Sequence, residues 1–167
     1  MKDIEGFKEW YAERQAGLKN DPLARFFHRF RNINHHIGEN IVNSGSMRQG
    51  NFIKWFFCPV ADIQTVPEED VEKVCKAYFV QLLELVYQCY QSFGPHIDAQ
   101  QYFTAENFGR TGKTIDDADE EITGIRGWTE VPGIEEERRW EMLRKSVLGC
   151  EINQIFEEYL GKTVNII

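Results

Sequence analysis

The stretch Arg29-Phe30-Arg31-Asn32-Ile33-Asn34-His35-His36 gathers side chains able to cut a phosphodiester. Arg31 offers a planar fork of donors that can hold a phosphate through two hydrogen bonds. An imidazole, with an ordinary pKa of about 6.5, passes protons at neutral pH. In that chemistry His36 takes the 2′-hydroxyl proton or protonates the leaving oxygen, while Arg31 stabilises the charge that builds on phosphorus. Asn32 would orient either the histidine or the phosphate, and no metal is required. On a straight helix the five-residue step from Arg31 to His36 turns by about 140°, so the two share a face only where the helix frays or changes pitch. His35 stands four residues after Arg31 and shares its face, whereas Arg25, Arg29, Asn32 and His36 line another. Either histidine is therefore a candidate partner. The competing reading is structural: the arginine pairs with an acid on a neighbouring helix and the histidines cap the helix C-terminus, where cations are favoured.

Other constellations carry less. His28 and His35 stand two turns apart, about 10.5 Å along a straight helix, too far to hold one ion together, so a metal site would need Glu39, His96 or another residue from elsewhere. Asn107-Phe-Gly-Arg-Thr-Gly112-Lys113-Thr114 has the end of a phosphate-binding loop, but Asn107 stands where the first glycine belongs and no apolar strand precedes it. A glycine-rich turn accounts for it. Asp117-Ala-Asp119-Glu120-Glu121 approaches a calcium loop, yet Ile122 occupies the glycine position and Trp128 that of the closing glutamate. The acids of residues 116–121, five in six positions, read instead as a solvated loop that could face Arg25, Arg29 and Arg31. Cys58, Cys75, Cys89 and Cys150 include no close-spaced pair and are expected to be reduced, with Cys75 and Cys89 in an apolar helical pattern. No cofactor and no metal is assigned.

The elements that must position these groups come from a chain of 167 residues, 42% hydrophobic and 13% aromatic, enough to build one core. No apolar run is long enough to cross a bilayer, and the start of the chain lacks the basic and apolar regions of a signal peptide. Net charge is −8, from 27 acids against 19 Lys and Arg, which opposes binding to anionic membranes or extended DNA. Residues 22–36, by contrast, hold three arginines and three histidines and no acid. A local basic patch on an acidic chain suits a small anionic target.

The spacing of Ile4, Phe7, Trp10, Tyr11 and Leu18 predicts a helix over 3–18, broken at Gly17 and Asn20. Asp21-Pro22 starts a second, with Leu23, Phe26, Phe27, Phe30 and Ile33 as its apolar stripe and Gly38 as its stop. The two should form an αα-hairpin. Turn clusters at 43–46 and 49–51 and the aromatic run Phe52–Cys58 predict a small β-hairpin, ended by Pro59. Three consecutive aromatics, Trp55, Phe56 and Phe57, cannot all face inward on a strand, so at least one is exposed or meets a second copy. Thr65-Val-Pro67-Glu68 predicts a capped entry to a long helix that Gly94-Pro95 ends. Residues 96–133 read as a long ordered loop with one short helix, packed by Tyr102, Phe103, Phe108, Ile115 and Trp128. A last helix is expected from about Ile134 to Leu160, through Trp140, Met142, Leu143, Val147, Ile152, Phe156 and Tyr159.

Arg31-Asn32-Ile33-Asn34-His35-His36, set in a helical chain of this size, resembles the R-N-x-x-x-H motif of HEPN domains. The resemblance implies a four-helix bundle, a dimer that brings two motifs together, and metal-independent ribonuclease activity of toxin or defence type. It makes Arg31 and His36 the catalytic pair and Asn32 their polar companion. The expected molecule is thus mainly α, a four-helix bundle with a small β-hairpin insertion and a long ordered loop, in one domain over 1–167. It is expected to be cytoplasmic and homodimeric, with RNA as a partner and no membrane or extended DNA. The alternative is a non-catalytic helical interaction or accessory protein.

Overall fold

A computed structural model describes residues 3–36, 41–49, 52–60, 63–147 and 152–164; the side chains of 35–36, 43–49 and 52–53 lie outside the described set. The molecule is mainly helical, with one two-stranded antiparallel sheet among the described residues. The chain divides into two compact units, Lys8–Leu83 and a second that joins the N-terminal residues through Phe7 to the chain from Glu84 onward.

The first unit contains α1 (Phe7–Asn20), α2 (Pro22–His36), β1 (Val42–Gln49), β2 (Phe52–Phe57) and the start of α3 (Val71–Ile97). Helix α1 begins four residues later than its apolar spacing predicts, because Gly6 holds φ +76°, a left-handed value that cannot continue into a helix. It then runs through Gly17. Helix α2 starts as expected: the Asp21 carboxylate accepts from the Ala24 amide at 2.7 Å, and Pro22 occupies the first helical position. Residues 37–40, including the expected stop at Gly38, lie outside the described set.

In the sheet, Val42 pairs with Phe57 and Gln49 with Phe52, with a register shift between Asn43 and Met47. The cluster at 43–46, expected to be a turn, is therefore an irregular part of β1. Of the second expected turn cluster, 49–51, Gln49 ends β1 and residues 50–51 lie outside the described set. Trp55 is 47% exposed while Phe57 is buried, so the crowding expected of three successive aromatics is relieved by turning one to solvent. Phe26, Ile33, Ile41, Phe57, Ile63 and Val74 form this unit's core.

Helix α3 enters at Val71 and not at Thr65. Asp70 is the capping group: its carboxylate accepts from the Glu72 amide and, on its other oxygen, from the Trp55 amide of β2, both at 2.9 Å. The Trp55 amide is the main reason that the Asp70 carboxyl titrates below its ordinary value. Proline at 67 biases the residue before it toward extended backbone, which delays helix entry. At its far end α3 continues through Gly94-Pro95 to Ile97. Gly94 is buried against the Gln101 side chain, whose amide oxygen would stand 1.9 Å from an added Cβ. A missing side chain, not a helix stop, is what that position requires. Cys75, expected in the buried stripe, is exposed, and Cys89 is half-buried; Val74, Leu83, Tyr87 and Phe93 are the buried hydrophobic residues of α3.

In the second unit the expected loop over 96–133 is largely helical: α4 (Ala99–Tyr102), α5 (Ala105–Gly109) and α6 (Ile115–Thr123). Each is too short for apolar periodicity to reveal it, but each has its starting cap in Asp98, Thr104 or Thr114. Phe103, Phe108, Ile115, Ala118, Trp140 and Leu143 form the core, with Tyr102 packed against it. Trp128, expected to join them, is instead 46% exposed. The expected last helix is divided into α7 (Glu136–Ser146) and α8 (Ile152–Leu160). The amide of Val147 turns back to the carbonyls of Arg144 and Lys145 and closes α7 there. Phe156 of α8 is fully buried, edge-on to Tyr87 and Tyr90 of α3 at 5.2 and 5.7 Å between ring centres. The helices thus number eight among the described residues, where four longer ones and one short helix within 96–133 were expected.

The acidic run is helix α6, and its charges are satisfied within its own unit. The Asp117 carboxylate accepts from the Thr114 amide at 2.7 Å and hydroxyl at 2.9 Å, and pairs with Arg126. The Thr114 amide and the Arg126 guanidinium hold its carboxyl down at about 2. Because that value lies below the ordinary one near ~3.9, the stabilisation is complete above the unfolded pKa and is lost as pH falls toward 2. Thermal melts over about pH 2–6 should therefore show a steeper acid loss for the wild type than for Asp117→Asn. Equal slopes would remove this role.

Candidate functional site

Helix α2 carries two opposite faces. Leu23, Phe26, Phe27, Phe30 and Ile33 face the first core, where Phe26 meets Phe57 edge-on at 4.8 Å and Phe27 stacks on Tyr78 of α3 at 4.4 Å. This anchoring leaves Arg25, His28, Arg29, Arg31 and Asn32 exposed. The aromatic stripe therefore fixes which way the cationic residues point. His35 and His36 occupy the final turn of the helix, and their side chains lie outside the described set.

Arg25, Arg29 and Arg31 make no ion pair or side-chain hydrogen bond among the described residues. The arginines of the second unit differ: Arg110, Arg126, Arg138 and Arg139 each engage a carboxylate, and Arg144 donates to the Phe103 carbonyl at 3.4 Å. The acidic run finds partners within its own unit. Asp116 and Asp119 meet Arg139, Asp117 and Glu120 meet Arg126, and Glu121 meets Lys113. The expectation that these acids form a solvated loop is corrected: they lie on helix α6 and meet cations of their own unit.

A cleft of about 480 Å³ opens beside α2 within the first unit. Arg25, His28 and Arg29 line it from α2, Lys19 and Tyr11 from α1, and Tyr78 from α3; no Asp or Glu is among its lining residues. The Lys19 ammonium donates to the Gln15 side-chain oxygen at 3.3 Å. Arg31 and Asn32 do not line this cleft. The structure thus gathers Arg25, His28 and Arg29, at three- and four-residue spacing, while Arg31 and Asn32 stand on the open surface of the same helix. Sequence reasoning marked the basic run but not its partners Lys19, Tyr11 and Tyr78. The signal available was the tight α1–α2 connection at Asp21, which brings the end of one helix beside the start of the next.

Another cleft, about 340 Å³, belongs to the second unit and is lined by Glu106, Glu136 and Glu137 as well as Arg144. Its sign is wrong for a phosphate. Among the described residues no group of three or more His, Cys, Asp or Glu is placed to hold a metal ion, and no helix is long and apolar enough to cross a membrane. No family model matches the chain, and neither the curated proteins nor the solved structures include a significant match.

Proposed function

We propose that the protein is a metal-independent ribonuclease of HEPN type. In this reading Arg31 grips the scissile phosphate, His36 moves the protons, and Asn32 or His35 assists. The supporting observation is that the guanidinium of Arg31, like those of Arg25 and Arg29, has no carboxylate partner among the described residues. A cation already neutralised has little left to offer a phosphate, so this absence of pairing is what the chemistry needs. RNA incubated with the purified protein should be cut equally with and without a chelator, and Arg31→Ala should remove the activity. Equal background from both proteins would overturn the reading.

The proposal includes a cytoplasmic homodimer. The exposed Trp55 of β2 supports an association through the hairpin. Light scattering at high protein concentration should give twice the chain mass, and a monodisperse monomer would remove this part. A second reading, a non-catalytic accessory protein that binds a small anion, is favoured by one observation: the cleft collects Arg25, His28 and Arg29 and leaves Arg31 outside.

A further inference from the structure

We infer that the cleft between α1 and α2 is a binding site for a phosphate monoester attached to a planar base, a ligand of mononucleotide size. This inference stands apart from the cleavage proposed above, since it needs neither Arg31 nor His36. Three permanent cations, Lys19, Arg25 and Arg29, line the cleft with His28 and without a carboxylate, on a chain of net charge −8. Cations placed together repel one another, and with acids this abundant such a cluster is most readily stabilised by an anion from outside. Two arginines four residues apart present adjacent forks, the geometry that grips phosphate oxygens.

The rest of the lining narrows the ligand. Tyr11 is 52% exposed at the cleft, and Tyr78 is held in place by stacking on Phe27, with the rings 6° from parallel. Aromatic walls beside a cationic floor suit a flat ring joined to a phosphate better than phosphate alone. A volume of about 480 Å³ falls within the ordinary range for small-molecule sites. The same chemistry is offered by a free mononucleotide and by the phosphorylated end of an RNA strand.

Calorimetric titration of the whole protein tests this with four probes: AMP, adenosine, inorganic phosphate and a 5′-phosphorylated dinucleotide. AMP should bind saturably, adenosine and inorganic phosphate each about tenfold or more weakly, and AMP affinity should fall as salt is raised. Arg25→Gln and Arg29→Gln should each weaken AMP binding roughly tenfold, and Tyr78→Leu should bring AMP affinity down toward that of inorganic phosphate. Arg110→Ala, in the second unit, should leave binding unchanged. A dinucleotide that binds more tightly than AMP assigns the ligand to a strand end, and the reverse order to a free nucleotide. No saturable binding of AMP, adenosine binding as tightly as AMP, or full affinity in a folded Arg25→Gln/Arg29→Gln protein would each overturn the inference. The salt series on the wild-type protein keeps the test decisive if a variant misfolds.

Discussion

Under the proposed ribonuclease reading, His36→Ala should cleave RNA roughly 10²–10⁴-fold more slowly than the wild type, the loss expected when a general acid–base group is removed. His35→Ala should cost less if His36 is the proton carrier, and the order reverses if His35, which shares the face of Arg31, has that task. Arg31→Lys keeps the charge but loses the two-pronged grip, so it should fall well below the wild type even though the substitution is conservative by charge. Arg31 is exposed and without a partner among the described residues, so its replacement should change stability by no more than about 0.5 kcal/mol. Melting curves that overlay while rates diverge would locate the loss in chemistry. A His36→Ala protein with the wild-type rate would end the assignment of that residue.

Arg139→Met should destabilise the protein by about 3–5 kcal/mol, the range for breaking a buried ion pair from one side. Asp119 of α6 is fully buried. Its Oδ2 atom accepts from the Thr129 amide at 3.0 Å, from the Thr129 hydroxyl at 2.9 Å and from Arg139 at 3.3 Å. Its Oδ1 atom has no hydrogen-bond partner among the described residues. Arg139 also donates to the Thr129 hydroxyl at 3.1 Å and reaches Asp116 at 2.6 Å. Removing the guanidinium leaves a fully buried carboxylate with two neutral donors. Asp119→Ala should cost less, because Arg139 keeps Asp116 and is closer to solvent. The double replacement Asp119→Leu/Arg139→Met should recover most of the loss, since an apolar pair of suitable volume avoids the desolvation cost altogether. At roughly 2–4 °C per kcal/mol for a chain of this size, thermal melts resolve all three. A loss below about 1 kcal/mol for Arg139→Met would mean that the pair is effectively solvated.

The long elements were legible in the sequence because their signals are local and redundant. The start of α2 is written twice, in the Asp21 carboxylate and in the fixed φ of Pro22, and its stripe of three phenylalanines, a leucine and an isoleucine points one way. The same logic failed over 96–133 because α4 and α5 are single turns. Periodicity needs at least two turns to register, and only Asp98, Thr104 and Thr114 marked where those helices begin. Asp70 shows a different limit. Its role depends on the Trp55 amide, fifteen residues earlier in the chain, and a contact between a strand and a distant cap leaves no spacing to read. The mistake over α6 was of this kind too: five acids look solvated until Lys113, Arg126 and Arg139 are brought to them. For the site, the cationic run of α2 was plain from composition. Which of its members share a cleft was not, because that depends on Lys19 and Tyr11 of one helix and Tyr78 of another.

Because α3 belongs to Lys8–Leu83 by its first half and to the remainder by its second, the boundary between the units falls inside a helix. A truncated chain started at Glu84 would open on bare amide groups in mid-helix, and one ended at Leu83 would leave the matching carbonyls unmet. Neither half can be expressed separately at that point without sacrificing a turn of hydrogen bonding. Any attempt to dissect the molecule must cut at its loops and carry the whole of this helix with one side.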